Sequence, residues 1–510
     1  MNGTKISCWA LLALVAAASM PPSTARAGGF EVPGAGTRGN GRGGAFAARA
    51  DDPQALRYNP ANLAALPGIQ LSLDVNLMFY GACFNRSNTY GESWGLDGAD
   101  VFYGAPGPIP GSDGMSEVCN SGPMNLAPSL MFTWRLTPEL GIGVGFLPPN
   151  AIGHTVFGRP SDGTITSSTT LNGRIPAPGR YGLVEEQLLQ AFPSIGVGYS
   201  ITPQVRVGAT FGSGFGIFDF TNYTRIDVGE SFAGDIRSEL HASDWFIPRL
   251  TGSVHLVPHD NLDVMLSFSW QDDISAEGTV KLIAGSYAED PAASAEVLLD
   301  GATLEVPSPW QASVGVRYAD RISPRPRDPG AISRLSGRIE DPMANERWDV
   351  ELDVVYEMNS RVDAFTLTLP PGYMLGPYAV PSDPILLRHN WKDQLSFRLG
   401  GDYNVIPGMA AVRAGVSYET NGIENGWTQT DFMPFARLGL HAGLTLRLGK
   451  LDINLAYAHI HQFEVEVTNG EMRPVYALPP TSFSGVATIN SGTYTSNVDI
   501  LSLGVNYHFQ

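Results

Sequence analysis

Four groups of residues have the types and spacing for chemistry. Gly39, Gly41 and Gly44 fit G-x-G-x-x-G, which brings a backbone close to a dinucleotide pyrophosphate. That chemistry needs a strand before the glycines and a helix after them, and the sequence supplies neither. His459 and His461 alternate on one face, as a two-imidazole metal pair on a strand would. Two ligands do not complete a site, and solvated side chains account for them, so neither metal nor cofactor is expected. Cys83 and Cys119 bracket a Gly/Asn/Ser/Pro-rich stretch. A disulfide closing that loop suits an oxidising compartment, and two unpaired thiols are the alternative. Arg206, Arg317, Arg398, Arg413 and Arg447 occupy the polar face of alternating segments, where a guanidinium could hold a ligand carboxylate. Glu351, Asp353, Glu419 and Asp452 occupy the same faces and would pair with most of them, because an unpaired interior charge is costly. A hydrolase would need a serine beside a histidine base. No serine is singled out, so no enzymatic activity is expected.

The elements that must position these groups begin with export. Lys5, the apolar run 9–18 and the small-residue site Ala25, Arg26, Ala27 read as a secretory leader over residues 1–27. That run is about ten residues, short of the roughly 20 that cross a bilayer as a helix, and no later stretch comes closer. A mature chain in a membrane must therefore cross it as strands. Removing Lys5 and Arg26 with the leader leaves 30 basic against 50 acidic residues, which argues against nucleic acid as a partner.

The strands are read from alternation. Leu438, Leu440, Ala442, Leu444, Leu446 and Leu448 share one face, and Gly439, His441, Gly443, Thr445 and Arg447 share the other. Segments of about 10 to 14 residues with a charged, glycine-rich second face suit a tilted membrane strand better than a soluble sandwich. Fourteen such segments start near Ile69, Met124, Leu140, Gln187, Gln204, Asp244, Leu262, Val306, Trp348, Lys392, Ala410, Phe435, Leu451 and Val498. The expected fold is all-β: an antiparallel transmembrane barrel over residues 69–510, behind a plug over residues 28–68. Tight links at Thr137-Pro138, Thr202-Pro203, 258–260, 406–408 and Gly449-Lys450 follow even-numbered strands and long loops follow odd ones. Short turns belong on the periplasmic side, so both termini are expected there. The link 319–347 breaks the rule, as a long periplasmic excursion or a missed hairpin.

Several blocks carry a resemblance. They are Gly28-Gly29-Phe30, Gly39-Asn40-Gly41-Arg42-Gly43, Asp51-Asp52 and Asn59-Pro60-Ala61, then the Leu140 to Phe146 block, Pro309-Trp310, and Trp391-Lys392-Asp393 with Gly400-Gly401-Asp402-Tyr403. On them the chain resembles the FadL group of outer-membrane transporters for long-chain fatty acids and other hydrophobic compounds, which includes aromatic-hydrocarbon channels. The resemblance covers essentially the whole mature chain, and its N-terminal block is the specific part. It implies a fourteen-stranded barrel in the outer membrane of a Gram-negative bacterium, among lipid and lipopolysaccharide, closed by an N-terminal hatch and passing its ligand sideways through the wall. A lateral exit favours a monomer. The resemblance makes Phe30 a ligand contact and gate, the alternative being that it packs the hatch into the lumen. Asn59, Pro60 and Ala61 would anchor the hatch, since proline fixes its own torsion and extends the residue before it. Gly141, Gly143 and Gly145, with Pro148-Pro149 after them, would kink the third strand and open the wall; the alternative is that they make room for the hatch. A diffusion porin and a barrel-embedded lipid hydrolase are the rival functions. Fatty acids and aromatic hydrocarbons are not separable at this level, because both prefer an apolar lining.

Overall fold

The computed structural model describes residues 36–87, 117–147, 152–165, 176–225, 235–284, 295–323, 325, 339, 341–376, 378–380, 382–475 and 488–509. The leader 1–27, Phe30 and Pro148-Pro149 lie outside the described residues.

Alternation builds the wall. In residues Arg437–Leu448 the leucines at 440, 444 and 448 face outward and are exposed, whereas Arg437, His441 and Thr445 face inward and are buried. The same division holds along β1 (Ile69–Arg86), β2 (Asn125–Arg135), β3 (Leu140–Leu147), β4 (Glu185–Thr202), β5 (Val205–Thr224), β6 (Ile236–His259) and β7 (Leu262–Gln271). A hairpin follows, β8 (Ile274–Ala284) and β9 (Ala295–Val306). The wall resumes with β10 (Gln311–Arg321), β11 (Glu346–Glu357), β12 (Gln394–Ile406), β13 (Ala410–Glu419), β14 (Arg437–Leu448), β15 (Leu451–Val467) and β16 (Gly492–His508). Every wall strand pairs antiparallel with its neighbour, β7 pairs with β10 across the base of the hairpin, and β16 returns to β1. Register from Gln70↔His508 to Arg86↔Gly492 closes a barrel of fourteen strands. Closure gives each wall strand a partner on both sides, as a lipid-embedded sheet requires.

Each of the fourteen starting points read from alternation falls on a wall strand or just beside one, with three informative shifts. β6 begins at Ile236 rather than Asp244, and β16 at Gly492 rather than Val498. Val306 ends β9, so the eighth wall strand starts at Gln311. In the first two, the strand extends beyond the hydrocarbon-height alternation into the long-loop end; in the third, the alternation read belongs to the return arm of the hairpin. There β6 divides its pairings: residues 249–259 hold β7, and residues 236–243 hold β8. β9 pairs onward with Ala364–Thr368, which pairs with Ile385–Arg388. This sheet wing stands above the wall and was read from sequence as loop.

The opposite end carries the short turns and both ends of the barrel, where the Phe509 backbone N–H donates to the Ile69 carbonyl. The exceptional link between β10 and β11 belongs to this end. Its described part folds back: Arg325 pairs with Asp263, and the short helix Pro342–Asn345 accepts the Gly408 N–H through the Met343 carbonyl.

Candidate functional site

Residues 36–68 run inside the lumen. Thr37–Asn40 and Ala55–Tyr58 form short helices, and Pro60–Ala64 forms a 3-10 turn with proline at its start. Phe46, Leu56, Asn59, Ala61 and Leu63 are buried. Asn59 explains the local geometry: its amide donates to the Ala47 carbonyl at 2.9 Å, and its oxygen accepts from Ser253 Oγ of β6 at 2.9 Å. Ser253 Oγ in turn accepts the Ala61 N–H at 2.9 Å, so Asn59 and Ala61 share one wall partner.

The wall receives this segment on glycines. A Cβ added at Gly141 would lie 2.0 Å from the Leu63 carbonyl oxygen, and one at Gly208 would lie 2.3 Å from the Pro60 carbonyl carbon. Gly143 faces the side chains of Leu63 and Leu56, while Gly145 abuts β2 at Leu130 and Met131. On the far side, Gly400 and Gly415 leave space for the Arg42 carbonyl. Backbone touches backbone at these points, which only glycine allows. Gly141→Ala is therefore expected to lift residues 60–64 off the wall and to raise protease sensitivity within 36–68 at least tenfold while the barrel itself still resists. Limited proteolysis followed by mass mapping measures this, and a cleavage pattern equal to wild type would refute it.

Charge fixes the opposite side. Arg42, fully buried, reaches Asp402 at 2.6 Å, Asp349 at 3.0 Å and Glu351 at 3.2 Å. Arg49 adds Asp349 at 3.0 Å, and Asp353 Oδ2 accepts the N–H groups of Phe46 and Ala47 at 3.0 Å each. Burial opposes the Arg42 charge, but Asp349 and Asp402 outweigh it and hold the guanidinium above its ordinary pKa. Asp52 goes the other way: burial pushes its carboxyl up to about 6, against the pull of Arg38.

The interior arginines offered as candidate carboxylate anchors all have partners in the barrel interior, as expected for most of them. Arg317 pairs with Asp349, Glu346 and Asp263, and Arg447 with Asp452 and Asp341. Arg206 donates to Asn62 at 3.0 Å, Arg398 to Ser396 at 2.9 Å, and Arg413 lies 3.4 Å from Asp402. Arg413 and Arg447 border a charged cavity of about 280 Å³ at the short-turn end. None of the five lines the large cavity described next.

That cavity, about 750 Å³, opens at the long-loop end between the wall and the sheet wing, a volume suited to a small hydrophobic ligand. Leu240, Leu282, Leu304, Phe365, Leu367 and Leu387 supply its apolar surface. Sequence reasoning missed these residues. The signal was present as alternation in 278–284 and 295–306, but a register shift at Gly278/Thr279 and the positive φ of Gly301 break it into short pieces. Phe365, His389, Trp391 and Phe432 form an edge-to-face ring cluster beside it.

One wall ladder is short. The β2–β3 ladder runs from Arg135↔Gly141 to Leu130↔Phe146 and stops there among the described residues. β2 continues to Asn125 against β1, and Ile152–Val156 continues against β4. Above the interruption the His154 N–H donates to Asn125 Oδ1 at 2.9 Å.

The remaining groups have structural partners. Cys83 and Cys119 are disulfide-bonded, with Cα atoms 4.0 Å apart. His459 Nδ1 lies 2.8 Å from Asp499 Oδ1, which also accepts the Tyr457 hydroxyl at 2.6 Å. Gly39, Gly41 and Gly44 lie in the buried first turn of the inner segment.

Residues 335–509 match the sequence profile of the outer membrane protein transport protein family, OMPP1/FadL/TodX. No curated protein matches the chain in sequence. Among solved structures, a FadL homologue of Pseudomonas aeruginosa is 15% identical, covering 95% of this chain and 100% of its own, with a TM-score of 0.68. The toluene transporter TodX of P. putida is 15% identical over 94% of this chain and 98% of its own, with a TM-score of 0.56. The Ralstonia pickettii toluene transporter TbuX is 15% identical over 94% of this chain and 100% of its own, with a TM-score of 0.55.

Proposed function

We propose that the chain is a member of the OMPP1/FadL/TodX family of outer membrane transport proteins, which its match over residues 335–509 and its fold support, and that it carries hydrophobic compounds passively across the outer membrane of a Gram-negative cell. The long-loop end faces outward and both termini face the periplasm. The observation that carries this reading is the apolar cavity of about 750 Å³ at the long-loop end of a barrel whose lumen is filled by residues 36–68. An apolar molecule gains nothing from a water-filled pore, whereas leaving water for that lining is favourable by roughly 25 cal/mol per Å² of apolar surface.

The route runs from the loops into the cavity, past the inner segment, and sideways through the interruption above Leu130 and Phe146. Residues 28–68 act as the hatch, held by Asn59, Pro60 and Ala61, with Phe30 as the ligand contact and gate. Gly141 and Gly143 seat the hatch. Gly145, at the edge of the interruption, is the glycine of the three that belongs to the opening. Long acyl chains, as in fatty acids, are the first ligands to test. Aromatic hydrocarbons are the second reading, favoured by the ring cluster at Phe365, Trp391 and Phe432. A diffusion porin is disfavoured by the filled lumen. A lipid hydrolase is disfavoured because the serine–histidine contact that is described, Ser417 with His441 at 3.0 Å, is buried on the inner face of the wall rather than open to lipid.

Binding of a labelled long-chain fatty acid to the purified protein tests the proposal, comparing wild type with Phe30→Ala and with a chain lacking residues 28–66. Saturable binding that weakens several-fold in Phe30→Ala is expected. Absence of binding together with high ion conductance of the intact protein would overturn it in favour of a porin.

A further inference from the structure

The apolar cavity has an inner polar pole, built on the carboxyl of Asp431. Four of its charged lining residues, Asp383, Arg388, Glu471 and Arg473, are exposed at the rim. Asp431 is the inner one, with its side chain 14% exposed, and the buried amide of Gln429 lies beside it. Arg388 is already paired with Asp363 at 3.2 Å.

His389 sets the orientation of Asp431. The imidazole is buried, and its Nδ1 lies 2.9 Å from the Leu387 carbonyl, which can only accept, so Nδ1 is a donor. Its Nε2 meets Asp431 Oδ2 at 2.8 Å. Phe365 packs against the ring at 4.0 Å between centroids. The other oxygen, Oδ1, accepts the Phe432 N–H at 2.7 Å. A carboxylate offers about four lone-pair positions, so acceptor capacity remains after these two bonds, and the ring and the backbone fix it in place.

We infer that this pole selects the head group of the ligand: the cavity takes hydrophobic compounds that carry a hydrogen-bond donor, such as a long-chain alcohol or amine, in preference to carboxylates. This rests on the hydrophobic-transport reading above. An alcohol donates to Asp431 while its chain fills the leucine-lined volume. A carboxylate is acceptor-only and has no proton to give Asp431, so its oxygens meet another acceptor there. With one head-group hydrogen bond made or lost, a donor head group is expected to bind about tenfold more tightly than a carboxylate on the same chain, about 1.4 kcal/mol.

The experiment measures equilibrium binding of radiolabelled tetradecanol and tetradecanoate to the detergent-solubilised full chain, each corrected with protein-free micelles, in mildly alkaline buffer where the acid is ionised. Wild type is compared with Asp431→Asn and with the rim variant Asp383→Asn. Tetradecanol is expected to bind about tenfold better in wild type and in Asp383→Asn, and the preference is expected to vanish or invert in Asp431→Asn, whose amide donates to a carboxylate. Equal or tighter binding of tetradecanoate by wild type overturns the inference while leaving hydrophobic transport standing. A preference that survives in Asp431→Asn, or is lost equally in Asp383→Asn, overturns it as well. Binding of neither compound removes the transport reading and this inference with it.

Discussion

Arg42→Ala is expected to unseat the inner segment and turn a closed barrel into a leaky one. Arg42 alone reaches Asp349, Glu351 and Asp402, at distances of 2.6–3.2 Å and without solvent contact. Removing one partner of a buried ionic cluster leaves the others uncompensated, at a cost of about 3–5 kcal/mol. Arg49 and Arg317 also touch Asp349, and Glu351 keeps the N–H groups of Ala48 and Arg49, so part of that charge stays covered, but the Arg42 ion pair with Glu351 is lost. Single-channel conductance in planar bilayers should rise from near background to that of a partly open pore, while heat-resistant migration on gels shows the barrel intact. Unchanged conductance would mean that the contacts of Asn59 with Ser253 and of Arg206 with Asn62 hold the segment without the charge cluster.

The second large effect concerns the cavity. Leu367 lies on the sheet wing rather than on the barrel wall, half-buried and lining the apolar volume. Leu367→Asp places a carboxylate where a ligand chain must lie. Desolvating that charge on ligand entry costs several kcal/mol, so affinity for long-chain ligands should fall at least a hundredfold, about 3 kcal/mol. Leu367→Met, which keeps volume and polarity, should stay within about threefold of wild type. Equilibrium binding to both variants reads the difference. Equal affinities in Leu367→Asp and wild type would exclude this cavity as the binding site.

Much of the barrel was legible before any coordinates. Membrane strands expose one face to lipid and one to the lumen, so period-two alternation survives in the sequence wherever a strand crosses hydrocarbon. The leucines of 438–448 show it, and the tight links at Thr137-Pro138 and Gly449-Lys450 mark the turns between such strands. The wing of β8, β9, 364–368 and 385–388 was not legible. It stands at the long-loop end, where neither face meets lipid, and its bulge and its glycine with positive φ interrupt the period.

The interior divides along the same line. Sequence alone determined an all-β chain, the number and order of its wall strands, the arginines on the inward face, and a glycine-rich segment ahead of the first strand. Only the tertiary structure decided what those inward groups do. Arg42 meets Asp349 across a separation of 307 residues, and Asn59 meets Ser253 across 194. It also decided that Gly141 and Gly208 are spaces for Leu63 and Pro60, and that Asp431 and His389 give the cavity its polar end. Periodicity is a local property that records which face a residue occupies. Pairing depends on how the closed ring brings distant faces together, and no local pattern carries that information.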